Sequence, residues 1–278
     1  YMPPNLTRTR LDKFSDEFFF LRRLNGFNPG KFRKVSGQSW QYTVSYDCGK
    51  FVVEPSGILP SHIEARFTLC DQSLHLHSIQ FTLNGQTDTQ QPGDSDWEWG
   101  KRLFRCAEFV FQEIQSHLGR THMNMDQYAM AYYRNVVNNP IRLLLEPHLD
   151  GLLNINKLGA NLIQGTKGFI PEASSLTPND VAAVLKEEVR SLSYQNWSPR
   201  GKAIPDRVLN NHYDPAAIAF WDILTQYVGQ FFIDHQDGIA AHWLEIEQMS
   251  ADLVRHSILN PELGTLAIQD VTDLQQLC

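Results

Sequence analysis

The stretch Gln112-Glu113-Ile114-Gln115-Ser116-His117-Leu118-Gly119-Arg120-Thr121-His122 decides how this chain is read. It holds two histidines five positions apart inside a helical pattern. On a straight α-helix, at roughly 100° per residue, five steps turn the side chain by about 140°. Such a pair could not share a ligand. One π-type turn between them would bring the rings nearly into line, and π-bulges occur mostly at functional sites. A functional pair therefore demands a wound-out turn near Gly119. Glu113 lies one turn before His117 on its face, where a carboxylate could orient the imidazole. Spacing alone favours a satisfied core histidine at His117 and an incidental His122.

The helical pattern extends on both sides. Leu103, Ala107, Val110, Ile114, His117 and Leu118 recur at steps of three and four, and the face continues through Met125, Tyr128, Ala129 and Tyr132. Nothing interrupts Trp97 to Val136, about 60 Å of helix at ~1.5 Å per residue. Its low flanking polarity predicts burial, and Asn138-Asn139-Pro140 ends it. Shorter helices are expected from Pro140 to Leu145, Leu149 to Leu162, Thr177 (as cap) to Ser193, Ala216 to Ile233 behind Asp214-Pro215, Asp237 to His256, and Val271 to Cys278. The apolar stripe Phe220, Trp221, Leu224, Tyr227, Val228 and Phe231 reads as core.

Strand signals are confined to residues 41–95. Gln41 to Tyr46, Ile63 to Leu69 and Leu74 to Leu83 alternate with period two, separated by turn residues such as Asp47, Gly49, Asn84 and Gly85. Residues 1–40 read as an irregular arm with a short helix around Phe18-Phe19-Phe20-Leu21. The expected fold is mainly α, with a long central helix and a minor antiparallel sheet near the start.

Composition excludes several classes. Of 278 residues, 42% are hydrophobic and 20% charged, which is globular rather than disordered. A net charge of -7 disfavours a nucleic-acid binder. No apolar run is long enough to span a membrane, and no signal peptide is visible. The four cysteines form no CxxC pair, which removes zinc-ribbon and thioredoxin-like sites. The triplets at Asn5 and Asn196 match the glycosylation pattern and carry little weight. His75 and His77 share a strand face without a carboxylate companion, and His235, His242 and His256 share no ligand spacing. There is no Glu-x-x-His, Gly-x-Ser-x-Gly, P-loop or Gly-x-Gly-x-x-Gly.

The histidine stretch leads on to Ala131-Tyr132-Tyr133-Arg134, Asn139-Pro140, Leu144-Leu145, Pro147-His148 and Ile155-Asn156. This succession resembles the signature of the lipoxygenases. Gly26-Phe27-Asn28-Pro29, the run from Ser95 to Glu113, and Trp197, Pro205, Trp221 and Trp243 fall where similar landmarks are expected. The resemblance covers nearly the whole chain, most firmly residues 95–160. It implies a partial catalytic domain over 1–278, with an arm and small sheet in 1–95 and a helical core in 96–278.

The resemblance also implies an activity. Lipoxygenases oxygenate polyunsaturated fatty acids to hydroperoxides with O2 and one non-haem iron (Fe) per chain. Carried over by position, His117 and His122 match the first two iron ligands, Glu113 an outer-sphere partner, and Arg134 a buried structural arginine. Asn139 stands where the family usually has histidine before the proline. The third histidine, a weaker ligand and a carboxylate would follow Cys278, so this chain is expected to be a fragment, inactive by itself and poorly soluble. The rival reading is a non-catalytic scaffold of the same fold that binds an apolar ligand or partner. A related hydroperoxide-rearranging enzyme shares the motifs. The expected location is cytoplasmic or peripheral to a membrane, with no nucleic-acid partner and the oligomeric state left open. Leu192 and Ser193 fall near a specificity position of the family.

Overall fold

In the computed structural model, residues 14–26, 28–174, 176–192, 198–258 and 267–278 are described. The glycosylation triplets, Phe27 and Ser193 fall wholly or partly outside them. Just over half the chain, 56%, is helical. The chain divides into two compact units. One comprises residues 1–51, 58–109 and 198–219; the other comprises 52–57, 110–197 and 220–278.

The first unit holds the sheet. Helix α1 (Asp16–Asn25) is capped by Ser15, whose hydroxyl accepts from the Phe18 N–H. Strands β1 (Arg33–Lys34), β2 (Tyr42–Asp47), β3 (His62–Cys70), β4 (Ser73–Leu83) and β5 (Gln86–Gln90) pair antiparallel in sequence order. Asn84 and Gly85 both take positive φ in the tight turn between β4 and β5. The two outer strands are polar and carry no alternation, so period-two reading passes over them. One face buries Tyr42, Val44, Tyr46, Ile63, Ala65 and Phe67. On β4 the register shifts opposite Arg66 and Phe67, leaving His77 unpaired. Buried positions run Leu74, Leu76, Ser78, then Ile79 and Phe81. The bulge shifts the alternation by one residue. His77 packs at 5.5 Å on the Trp40 ring, while His75 is exposed.

Helix α2 (Trp97–Val110) passes directly into a π-wound segment, Phe111–Met123, and then α3 (Asn124–Asn135). The long uninterrupted helix is therefore present, and only its winding changes. Next come α4 (Arg142–Leu149), α5 (Leu152–Gly159), a short π segment (Ala160–Gln164), α6 (Phe169–Ser174), α7 (Pro178–Arg190), a 3-10 turn (Pro199–Gly201), α8 (Tyr213–Asp234), α9 (Gln236–Ala241), α10 (Trp243–His256) and α11 (Val271–Leu277).

Several sequence boundaries move. Helix α4 continues through Pro147, because the carbonyl that loses its donor belongs to the exposed Leu143, where water can reach it. The expected helix from Leu149 starts only after Gly151, which takes φ 72. Thr177 does cap α7, accepting from the Asp180 N–H. Asp214 is no cap: its Oδ2 accepts from Ile204 N–H and Asn211 Nδ2 instead. The helix expected from Asp237 is two helices, broken at His242.

The second unit's core gathers Tyr128, Ala131, Tyr132, Ile141, Val189, Leu192, Phe232, Ile246, Met249 and Leu274. Glu245 fastens the turn after α3. Its carboxylate accepts from the backbone N–H groups of Val137, Asn138 and Asn139 at 2.7, 2.9 and 3.0 Å. Asn139 is itself buried, its amide donating to the Ile239 and His242 carbonyls. Burial alone would raise the Glu245 carboxyl, but the three N–H donors outweigh it and hold it below its ordinary value of 4.5. A depressed carboxylate stabilises the fold above its unfolded value and loses that contribution as pH falls through the folded one. Glu245→Gln should therefore lower the denaturation midpoint near neutrality. Its deficit against the native chain should shrink as pH drops below about 4.5. A deficit that grows in acid would contradict the cap.

The stripe on α8 is a correction. Phe231 is buried, but Phe220, Trp221, Leu224 and Tyr227 are exposed, together with Ile223. Helix α8 is apolar nearly all round, and its solvent-facing residues find no cover among the described residues. Exposed patches of that kind drive association. On size-exclusion chromatography the chain should elute above the mass of a single copy. A sharp monomer peak would show that these side chains find cover in solution.

Candidate metal centre

Two local features place the histidine rings together. The first is the π winding: the Asn124 N–H reaches back five residues to the Gly119 carbonyl, and the thirteen residues 111–123 share this pattern. Sequence spacing asked for one such turn; the structure winds nearly three. The second is Gly119. Helix α7 crosses the π segment so closely that a Cβ at Gly119 would lie 3.2 Å from Glu188 Cβ and 3.0 Å from the Ile114 carbonyl oxygen. Beside it, Gln115 Nε2 donates to Glu188 Oε1 at 2.7 Å in a buried contact. The Thr121 hydroxyl donates to the His117 carbonyl.

The result is an aligned pair. The rings of His117 and His122 are 4.8 Å apart, edge to face at 78°. Each uses Nδ1 inside the protein. His117 Nδ1 lies 3.1 Å from Glu113 Oε2, and His122 Nδ1 lies 2.7 Å from Asn156 Oδ1. Neither Nε2 makes a hydrogen bond among the described residues. The His117 side chain is 39% exposed, so its free edge is accessible.

Asn156 carried no role in the sequence reading. It sits on α5, is 4% exposed, and also donates through Nδ2 to the His122 carbonyl at 2.9 Å and to Asp126 Oδ1 at 2.5 Å. No local pattern could reveal this, since 34 positions separate it from His122. Burial raises the Asp126 carboxyl, against the pull of the Asn156 amide and His122.

Arg134 falls elsewhere. The resemblance implies a buried arginine, but its side chain is 51% exposed and its Nη1 is 3.4 Å from Asp252. Met130, one turn before it on α3, is exposed as well. Arg134 hydrogen-bonds to neither histidine.

Chemically, the pair offers two imidazole nitrogens whose opposite nitrogens are engaged, the usual arrangement of metal-binding histidines. Imidazole suits iron, copper, zinc and nickel, and two imidazoles with a carboxylate form a common non-haem iron facial set. This donor set fits part of such a site. No cluster of three or more His, Cys, Asp or Glu side chains is present among the described residues.

A mainly helical chain with a π-wound central helix presenting two imidazoles is thus the class defined by fold and site. The sequence profile of the lipoxygenases matches residues 70–219. A linolenate 9R-lipoxygenase from Nostoc sp. is 34% identical over 249 residues, covering 87% of this chain and 31% of that protein. The crystal structure of a 9R-lipoxygenase from Cyanothece superposes with TM-score 0.82 at 32% identity, over 97% of this chain and 42% of that one. The human hydroperoxide isomerase ALOXE3 is 22% identical over 256 residues, 77% of this chain and 36% of that protein. The chain belongs to the lipoxygenase family. It spans less than half the length of these relatives.

Proposed function

We propose that this chain is part of a non-haem iron dioxygenase that converts polyunsaturated fatty acids and O2 into lipid hydroperoxides. In that reading His117 and His122 hold the iron through Nε2, Glu113 orients His117, and Asn156 orients His122. The supporting observation is the aligned pair, with both Nδ1 atoms engaged and, among the described residues, no partner at either Nε2. Iron bound there would supply the one-electron oxidation that removes hydrogen from a bis-allylic carbon. The chain's own residues do simpler work. Glu113 and Asn156 fix the rings, and the packing of α7 on Gly119 holds the turn between them.

Two imidazoles fall short of a catalytic set. The chain alone, given Fe2+, linoleate and O2, should produce no rise in conjugated-diene absorbance. It should nevertheless bind Co2+, and either His117→Ala or His122→Ala should weaken that binding at least tenfold, since each removes one of two donors. Binding that survives both substitutions would refute the ligand assignment and favour a scaffold that holds an apolar ligand or partner. Diene formation at an ordinary enzymatic rate would refute the incomplete site. The relationship to a hydroperoxide isomerase supports a second reading, rearrangement of hydroperoxides, which product analysis of an active form separates from oxygenation. Among the described residues no helix is long and apolar enough to cross a membrane.

A further inference from the structure

The contacts of Asn156 settle more than its position. A side-chain amide has one oxygen acceptor and two N–H donors. Its nitrogen faces two oxygens, the His122 carbonyl at 2.9 Å and Asp126 Oδ1 at 2.5 Å. Turning the amide over would set oxygen against oxygen at both places, so its orientation is fixed. The atom 2.7 Å from His122 Nδ1 is therefore the amide oxygen, which can only accept. His122 Nδ1 must carry the proton. In a neutral imidazole the other nitrogen then bears the lone pair.

We propose that Asn156, locked by Asp126, is the positioning residue that holds His122 as its Nδ1–H tautomer, so that Nε2 presents a bare lone pair before any ligand arrives. An unconstrained neutral histidine side chain favours protonation at Nε2, and a histidine protonated there must change tautomer before it can bind metal through that atom. The lock is built from three elements: the π segment carries His122, α3 carries Asp126 and α5 carries Asn156. The two histidines are also unequal. His117 is oriented by a carboxylate and His122 by a neutral amide. The bearing on metal binding rests on the ligand reading above; the tautomer does not.

The test uses the metal-free chain labelled with 15N-histidine, in mildly alkaline buffer. Magic-angle-spinning 15N spectra serve because they tolerate association. His122→Gln identifies the His122 signals. The native chain should show a protonated Nδ1 and a bare Nε2 at this residue. Asn156→Ala should move protonation to Nε2 and weaken Co2+ binding about 10–100-fold. Asp126→Ala should free the amide and give mixed tautomers. Asp126→Asn keeps an oxygen for Asn156 and should restore the native spectrum; it remains informative if Asn156→Ala fails to fold. A native His122 protonated at Nε2, or an Asn156→Ala spectrum unchanged at His122, overturns the proposal. The expected tautomers in a chain that binds no Co2+ would support the positioning role and overturn only the ligand reading.

Discussion

Replacing Glu108 with alanine is expected to destabilise the sheet-bearing unit by about 3–5 kcal/mol, the usual cost of stranding a buried charge. Arg23 is 2% exposed, and its guanidinium lies 3.7 Å from the Phe19 ring centre and 4.9 Å from that of Phe104. Its Nη2 reaches Glu108 Oε2 at 2.6 Å, and Nη1 reaches the Phe19 carbonyl at 2.7 Å. Burial pulls Arg23 down to about 10, opposed by Glu108. Burial likewise pushes Glu108 up, opposed by Arg23. Each partner thus limits the desolvation penalty of the other. Without the carboxylate, the cation keeps a single carbonyl among aromatic rings. Urea denaturation would show the loss as a lower midpoint. The double change Arg23→Met with Glu108→Leu should cost less than Glu108→Ala alone, because apolar side chains leave no charge uncompensated. A Glu108→Ala chain within about 1 kcal/mol of the native one would mean that water reaches Arg23.

The second large effect is expected at Gly119. A Cβ alone would press on the Ile114 carbonyl and on Glu188 at distances that require a small shift. Valine adds two further methyls on a branched, stiff side chain, so α7 must lift or the π turn must rewind. Overpacking of this kind typically costs about 1–3 kcal/mol. The functional loss should exceed the stability loss. Rewinding toward an α-helix would turn His122 away from His117 by a large fraction of the roughly 140° separating them on a regular helix. Gly119→Val should lower the melting temperature and abolish the Co2+ binding that depends on the histidine pair. Gly119→Ala should fall between native and valine in both. Unaltered metal binding in the valine variant would show that α7 moves and the π winding holds by itself.

Much of this site was open to reading because its causes lie close together along the chain. His117 and His122 are five apart, and only a turn wider than the α-helix can align them. Glu113 is four positions before His117, near enough for a helical face to deliver it. The helix from Trp97 and the three main strands likewise announced themselves through apolar periodicity, which records burial of one face. Where burial failed, periodicity misled. The stripe on α8 has the spacing of a core face, yet Phe220, Leu224 and Tyr227 stand in solvent. The motif position of Arg134 implies burial, whereas its side chain is half exposed beside Asp252.

Residue order alone determined the long helix, the condition that only a wide turn can align the two histidines, and the carboxylate one turn before the first of them. These are interactions within one turn of one element, where backbone geometry leaves little choice. The tertiary structure decided the rest: that α7 passes against Gly119, that Glu245 closes the turn after α3, and that Asn156 rather than any nearer side chain receives His122. These contacts join positions 34 to more than 100 residues apart, and their partners are chosen by how helices pack, which no local spacing encodes.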